Sequence, residues 1–238
     1  NLKKSGSKGV VLTGLNDKNA QLVALEINKV LSSEIIDTSN TLNIRQGNDA
    51  EVAQLISEMK SGKIAGLISY NVDPVYSLPN STEFIDGLNK LEISVALSLE
   101  NNETTNLSNF SLPTPHYLES WGDTQFDASL YGLMQPTIQP LFNTRQIQDV
   151  LLKWSGSSVS YYDYLKEFAS TNVLEGTSWN TALHNGFYKI ESLKLSEASV
   201  SKVVIADVAS QLFKSTKASA FELNLYTSTG LGDGKQAN

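Results

Sequence analysis

Cysteine is absent from the 238 residues, and histidine occurs twice, at His116 and His184. Without cysteine the chain carries no disulfide, no thiolate nucleophile, no Cys-ligated zinc and no conventional Cys-held iron–sulfur cluster. Two histidines are too few for a His-rich metal site, so no metal-ligating set is expected. Basic residues are also few: 18 Lys+Arg stand against 25 Asp+Glu, a formal net charge of −7. Nothing basic accumulates to release counterions from a phosphate backbone, so nucleic acid is not an expected partner. No apolar run approaches the roughly 18–20 residues that a membrane-spanning helix needs, and no direct membrane insertion is expected. No signal peptide is visible. What remains, 40% hydrophobic and 18% charged residues, is the composition of an ordinary globular protein with room for a buried core. The chain starts at Asn1 rather than Met and stops on a polar run ending at Asn238, so it is expected to be a segment of a longer protein.

The first half alternates strand and helix signals. Gly9–Gly14 is a short apolar run between glycines, the pattern of a buried parallel strand. Asp17 is a candidate N-cap for a helix with Leu22, Leu25, Ile27, Val30 and Leu31 on one face. Residues 33–37 read as a second strand. A helix is expected over 49–59, stopped by Gly62, then a strand over 64–69, a helix over 82–91 and a strand over 93–98. This alternation predicts an α/β fold with a three-layer, doubly wound, mostly parallel sheet. Ligands of such sheets sit beyond the carboxyl ends of the strands. Residues 110–143 are rich in proline, glycine and aromatics with little periodicity. Helices are plausible at 144–154, 160–170 and 179–187. Residues 203–206 could be a strand or part of a helix running to 213, and 221–226 alternate as a returning strand does. The expected organisation is an α/β core over 1–143 and a helical extension with a returning strand over 144–238.

Familiar catalytic motifs are missing. Gly9–Gly14 lacks the three-glycine spacing of a dinucleotide fingerprint, and no Gly-Lys-Ser/Thr follows it. Gly156-Ser157 is not a nucleophile elbow. The informative stretch runs from Ile64 to Phe142. It holds a strand ending in Asn71-Val72-Asp73-Pro74, then Glu103-Thr104. Next come Leu112-Pro113 and the run Pro115-His116-Tyr117-Leu118-Glu119-Ser120-Trp121-Gly122-Asp123, and finally Gly132-Leu133-Met134-Gln135.

These pieces resemble the molybdopterin oxidoreductase superfamily, in which a Gly-x-Asn-Pro turn, a Glu-Thr pair, a Leu-Pro segment, a Glu and a Gly, and a Gly-Arg-x-Gln follow in that order. The nine-residue run from Pro115 looks closest to the molybdopterin-oxidoreductase-like half of the large iron–sulfur subunit of alternative complex III. The resemblance implies the central-domain fold of those enzymes. It also implies a dinucleotide site drawn from Asn71, Asp73, Glu103, Thr104, His116, Glu119, Gly122 and Gln135. Two departures bear on that site. The turn has Tyr70 where the family has glycine, which hinders close backbone approach to a ligand. Leu133 and Met134 replace the segment with arginine, removing a bidentate partner for phosphate.

Three functions follow as expectations. In the first, the segment has no catalytic residue and no cofactor. It is a structural part of a respiratory quinol-oxidising complex, a peripheral subunit on the periplasmic side of the cytoplasmic membrane. Its partners are other domains of its parent and the other subunits, and the clusters lie elsewhere in the parent. In the second, it is a fragment of an active enzyme that helps to hold molybdopterin guanine dinucleotide. In the third, it is a small-ligand or transferase domain, which only the fold class supports. For single residues the packing role is the heavier reading. Pro74 and Pro79 shape turns, and Tyr161, Tyr162 and Tyr164 read as core and interface on a helix.

Overall fold

A computed structural model describes residues 2–37, 42, 47–191, 204–215, 220–221, 223, 225–232 and 234. The contacts divide the chain into two units, one formed by Leu42–Leu193 and the other by Asn1–Thr41 with Lys194–Asn238. The expected boundary at 143/144 falls inside the first of these.

The unit formed by the two ends of the chain begins with helix α1 (Leu2–Ser5) and a 3-10 turn over Gly6–Lys8. Helix α2 (Lys18–Val30) follows, and the Asp17 carboxylate accepts from the Ala20 amide at 2.8 Å as its N-cap. The Gly9–Gly14 run does not form a strand, and neither does 33–37. The reason lies in α2. Asn28 is buried, and its amide closes on one residue of the run: Val11 N–H donates to Oδ1 at 2.7 Å and Nδ2 donates to Val11 C=O at 2.8 Å. Gln21 Nε2 likewise donates to the carbonyls of Thr13 and Leu15. Side chains of the helix thus satisfy backbone groups that a neighbouring strand would otherwise take.

The Leu42–Leu193 unit opens with α3 (Asp49–Lys60), capped by Asn48, whose side chain accepts from the amides of Ala50 and Glu51. Strand β1 (Gly66–Tyr70) leads into α4 (Pro74–Ser77) and α5 (Ser81–Leu88). Strand β2 (Ile93–Ser98) leads into α6 (Glu103–Leu107), and β3 (Phe110–Pro113) follows. The three strands form a parallel sheet in the order β1-β2-β3, with Tyr70 opposite Leu97 and Leu97 opposite Leu112. The fold is therefore α/β with a three-stranded parallel sheet. On one face α3 and α5 supply Ile56, Met59, Phe84 and Leu88 to a core that reaches Leu67 of β1. Gly87 allows this approach, because a Cβ there would stand 2.9 Å from Met59 Cβ.

After a 3-10 turn over Tyr117–Glu119, the chain forms a second, antiparallel sheet that the sequence pattern does not announce. Its strands are β4 (Gly122–Asp127), β5 (Leu130–Met134) and, further along, β6 (Phe187–Lys189), in the order β4-β5-β6. Between β5 and β6 run α7 (Ile147–Trp154), α8 (Tyr161–Asn172) and α9 (Trp179–Asn185). Ile147 and Val150 of α7 pack against Val95, Leu97 and Leu112, on the opposite face of the parallel sheet from Leu67. The second core joins Tyr131 of β5 to Tyr161, Leu165, Ala169, Leu174, Trp179 and Ala182. Trp121 stacks onto its side, 4.6 Å from Tyr162 by ring centroids. Tyr161 and Tyr162 therefore belong to this core, as the helical spacing indicates.

The chain returns to the unit that holds α2 in α10 (Ile205–Ser215), which packs on α2 and buries Val208. Of the two readings for 203–213, the helix is the one formed from Ile205 onward. Of the expected strand over 221–226, Phe221, Leu223, Leu225 and Tyr226 are described and lie in no strand, while 222 and 224 lie outside the described residues.

Replacing Asn28 by Ala leaves both backbone groups of Val11 without their partner, at a cost of about 1–3 kcal/mol for such unsatisfied groups. Native-state hydrogen exchange should show the Val11 amide losing its protection in Asn28→Ala, with the amides of β2 unchanged.

Candidate functional site

The carboxyl ends of β1, β2 and β3 carry most of the residues that the sequence singles out. Asn71 follows β1 directly. It adopts φ 49°, and its amide donates to the Leu97 carbonyl at 2.9 Å. That left-handed conformation favours glycine, with asparagine the side chain that tolerates it best. The glycine missing from position 70 is thus offset one residue later, by an exposed asparagine.

Asp73 faces inward. It is 5% exposed, and its Oδ1 accepts from the Thr104 hydroxyl at 2.6 Å, the Thr104 amide at 3.1 Å and the Tyr76 amide at 3.4 Å. The Thr104 hydroxyl also accepts from the Val75 amide at 3.1 Å, and Thr104 is 1% exposed. One carboxylate and one hydroxyl thereby cap α4, take up a first-turn amide of α6, whose own N-cap is Asn102, and tie the two strand-end turns together. Burial pushes the Asp73 carboxyl up, but the hydrogen bonds, first among them that of the Thr104 hydroxyl, hold it below the usual carboxylate range. Glu103 is exposed at the first position of α6, with its side chain within hydrogen-bonding reach of Asp73.

A second group follows β3. His116 caps the Tyr117–Glu119 turn, its Nδ1 accepting from the Leu118 amide at 3.3 Å. Glu119 answers with Oε2, which accepts from the His116 amide at 3.0 Å, while Oε1 accepts from the Leu141 amide at 3.1 Å. Gly122 opens β4 opposite Met134, and a Cβ there would meet the Met134 side chain at 2.7 Å. Gln135 is exposed just past β5. Asn71, Asp73, Glu103 and Thr104 are thus brought together at the sheet edge. His116, Glu119, Gly122 and Gln135 form a separate group around β4 and β5.

The sequence reading missed one interaction in this region. Asp123 accepts from two tyrosine hydroxyls, Tyr131 at 2.6 Å and Tyr161 at 2.8 Å. Burial, and then the bond to Asp123, push both phenols well above their ordinary range. The only signal was the polar Asp123 placed ahead of an aromatic-rich helix.

No protein-family model matches the chain. It is 28% identical over 145 residues to the menaquinone reductase, molybdopterin-binding-like subunit, of Nitratidesulfovibrio vulgaris. This similarity supports the resemblance to the molybdopterin oxidoreductases. That match covers 54% of this chain, and the chain spans about a fifth (21%) of the length of that relative. Acetylene hydratase from Pelobacter acetylenicus overlays 58% of this chain with 20% of its own at a TM-score of 0.48 and 14% sequence identity.

A pterin dinucleotide held at the strand ends needs donors and acceptors that are free to meet it. Asp73 and Thr104 do not fit that role. Asp73 Oδ1 and the Thr104 hydroxyl are spent on each other and on the amides of Thr104, Val75 and Tyr76, and both residues are buried. Among the described residues no group of three or more His, Cys, Asp or Glu is placed to hold a metal ion.

Thr104→Val removes the hydroxyl that donates to Asp73 and is expected to cost about 1.5–3 kcal/mol, the range for hydrogen bonds to charged groups. Because the folded carboxyl of Asp73 titrates below its unfolded value, its stabilisation is present above the unfolded value. It fades as pH falls through the folded one. Urea unfolding of the chain against pH should show less loss of stability on the acid side in Asp73→Asn than in the parent sequence. At Asn71, substitution by Gly should leave the urea midpoint nearly unchanged, whereas Val should cost about 1–2 kcal/mol.

Proposed function

We propose that this chain is a molybdopterin-oxidoreductase-like domain that holds no cofactor and serves as a structural part of a quinone-linked respiratory complex. The observation that carries the reading is the Asp73–Thr104 pair. Two positions that the family resemblance assigns to dinucleotide binding are used to bind each other. The missing glycine at Tyr70 and the missing arginine before Gln135 support it. So does the relative's description as molybdopterin-binding-like rather than molybdopterin-binding.

The parent is a peripheral subunit on the periplasmic side of the cytoplasmic membrane, with its iron–sulfur clusters in other domains. No helix among the described residues is long and apolar enough to cross a membrane. The resemblance to alternative complex III points to quinol oxidation, while the relative is named for reducing menaquinone. Exchange with a quinone pool is common to both, and it is the part of the reading that this chain supports. Within the parent, the parallel sheet forms part of a three-layer, doubly wound sheet. The α3/α5 layer on one face and α7 on the other support that arrangement.

The second reading keeps a bound dinucleotide, contributed to by the exposed Asn71, Glu103 and Gln135. It is favoured by the exposure of those three residues, Asn71 and Glu103 beside an otherwise sealed turn and Gln135 just past β5. Metal and pterin analysis of the purified parent subunit decides between them. The proposal expects molybdenum and oxidised-pterin fluorescence far below one equivalent per subunit, and a stoichiometric content of either establishes the second reading.

A further inference from the structure

A groove of about 1100 Å³ runs along the Leu42–Leu193 unit from the end of β3 to the start of α8. Its volume is above the roughly 300–1,000 Å³ of ordinary small-ligand pockets. Trp121, Trp154, Pro136 and Pro140 give it rigid apolar walls, and Arg145 and Lys153 stand among the lining residues. The charges are not equivalent. Glu119 has both oxygens engaged by the amides of His116 and Leu141, and Asp149 Oδ1 accepts from the Tyr161 amide at 2.8 Å. Arg145 and Lys153 are both exposed, and neither is among the ion pairs found in the described residues.

The groove thus presents two cations outside any ion pair among the described residues, while both oxygens of Glu119 and one of Asp149 accept from backbone amides. The chain as a whole is acidic, but at physiological salt the influence of distant charges fades over about 8 Å, so the exposed cations are the groups a partner meets first. Apolar side chains gather at and beside it. Leu141 and Phe142 are 70% and 77% exposed, and Ile138, Trp154 and Val159 are exposed as well. An apolar cluster of this kind beside a polar groove marks a surface that is covered in the assembled protein.

We infer that this groove docks an extended, acidic segment of a partner chain, with apolar residues against Trp154 and Ile138 and carboxylates on Arg145 and Lys153. The groove's size favours an extended segment over a compact ligand. Its free cations favour acidic side chains, and its apolar margin favours a chain that alternates the two. The inference rests on the scaffold reading above, since it names the chemistry of a partner for that scaffold.

The test uses the 238-residue chain and a labelled decapeptide alternating Glu with Leu and Pro, followed by fluorescence anisotropy and by quenching of tryptophan emission. A version with Gln for Glu is the first control, and guanosine diphosphate is a competing small anion. The Glu peptide is expected to bind about tenfold more tightly than the Gln peptide, two exposed ion pairs' worth of discrimination. Its affinity should fall with added salt and disappear in Arg145→Glu/Lys153→Glu. Both positions are exposed, so the double variant should keep the parent's melting midpoint, and a shifted midpoint moves the measurement to Arg145→Gln and Lys153→Gln singly. Equal binding of both peptides, or none of either, overturns the inference. Binding of guanosine diphosphate through Arg145 and Lys153 without binding of the Glu peptide also overturns it, in favour of a small-anion site. Each of these outcomes is independent of the molybdenum and pterin content that tests the scaffold reading.

Discussion

The hydrogen bond from the Thr104 hydroxyl to the Asp73 carboxylate fixes the carboxyl edge of the parallel sheet. A carboxylate at 5% exposure is tolerable only when donors replace the water it has lost. Here the donors are the hydroxyl and amide of Thr104 and the amide of Tyr76. They belong to turns after two different strands, so satisfying one charge also sets the distance between those turns. Thr104 in turn receives the Val75 amide, which lies in the first turn of α4. If Asp73 were free, α4 would lose its cap and α6 the acceptor of its Thr104 amide, and both helices are too short to persist on propensity alone.

The parts of the fold legible in the sequence are those whose burial is periodic or continuous. Helix α3 shows Ile56 and Met59 at helical spacing, and β2 is buried without a break from Ser94 to Leu97, with Val95, Ala96 and Leu97 giving the apolar signal. The Gly9–Gly14 run shows the limit of that logic. Apolar residues between glycines specify extended backbone but not its partner, and Asn28 from a neighbouring helix took the partner's place. The β4–β5 hairpin was illegible for a different reason. Most of β4 after Gly122 is exposed, and the inward positions of the pair include Gly122 and Gly132, which carry no hydrophobic signal. Its turn is set by Asp127, whose carboxylate accepts from the amide and hydroxyl of Ser129, a local bond that no periodicity reports.

The candidate site was legible as a place but not as a direction. Reading Asn71, Asp73, Glu103 and Thr104 as neighbours needed only the topology of successive parallel strands, whose carboxyl ends must meet at one edge. Which way each side chain points depends on the competition between ligand and protein for the same polar atoms. A threonine beside a helix start serves equally as a ligand contact or as a cap, and sequence carries no term that separates them. Asp123 shows the same ambiguity from the other side. Its carboxylate looks available in the sequence, yet two tyrosine hydroxyls from distant elements converge on it.

The turn after β1 carries this argument one step further. In the family pattern a glycine precedes the asparagine and lets backbone approach a ligand. Here a tyrosine stands in that place, yet the chain still enters the left-handed region at Asn71. A left-handed non-glycine residue persists only where the surroundings over-determine it. Those surroundings are the Asn71 amide bonded to the Leu97 carbonyl and the Asp73 carboxylate bonded two residues later. Both are bonds within the chain. They hold the turn in shape whatever lies beyond it, as a family fold needs if it is to serve as a scaffold.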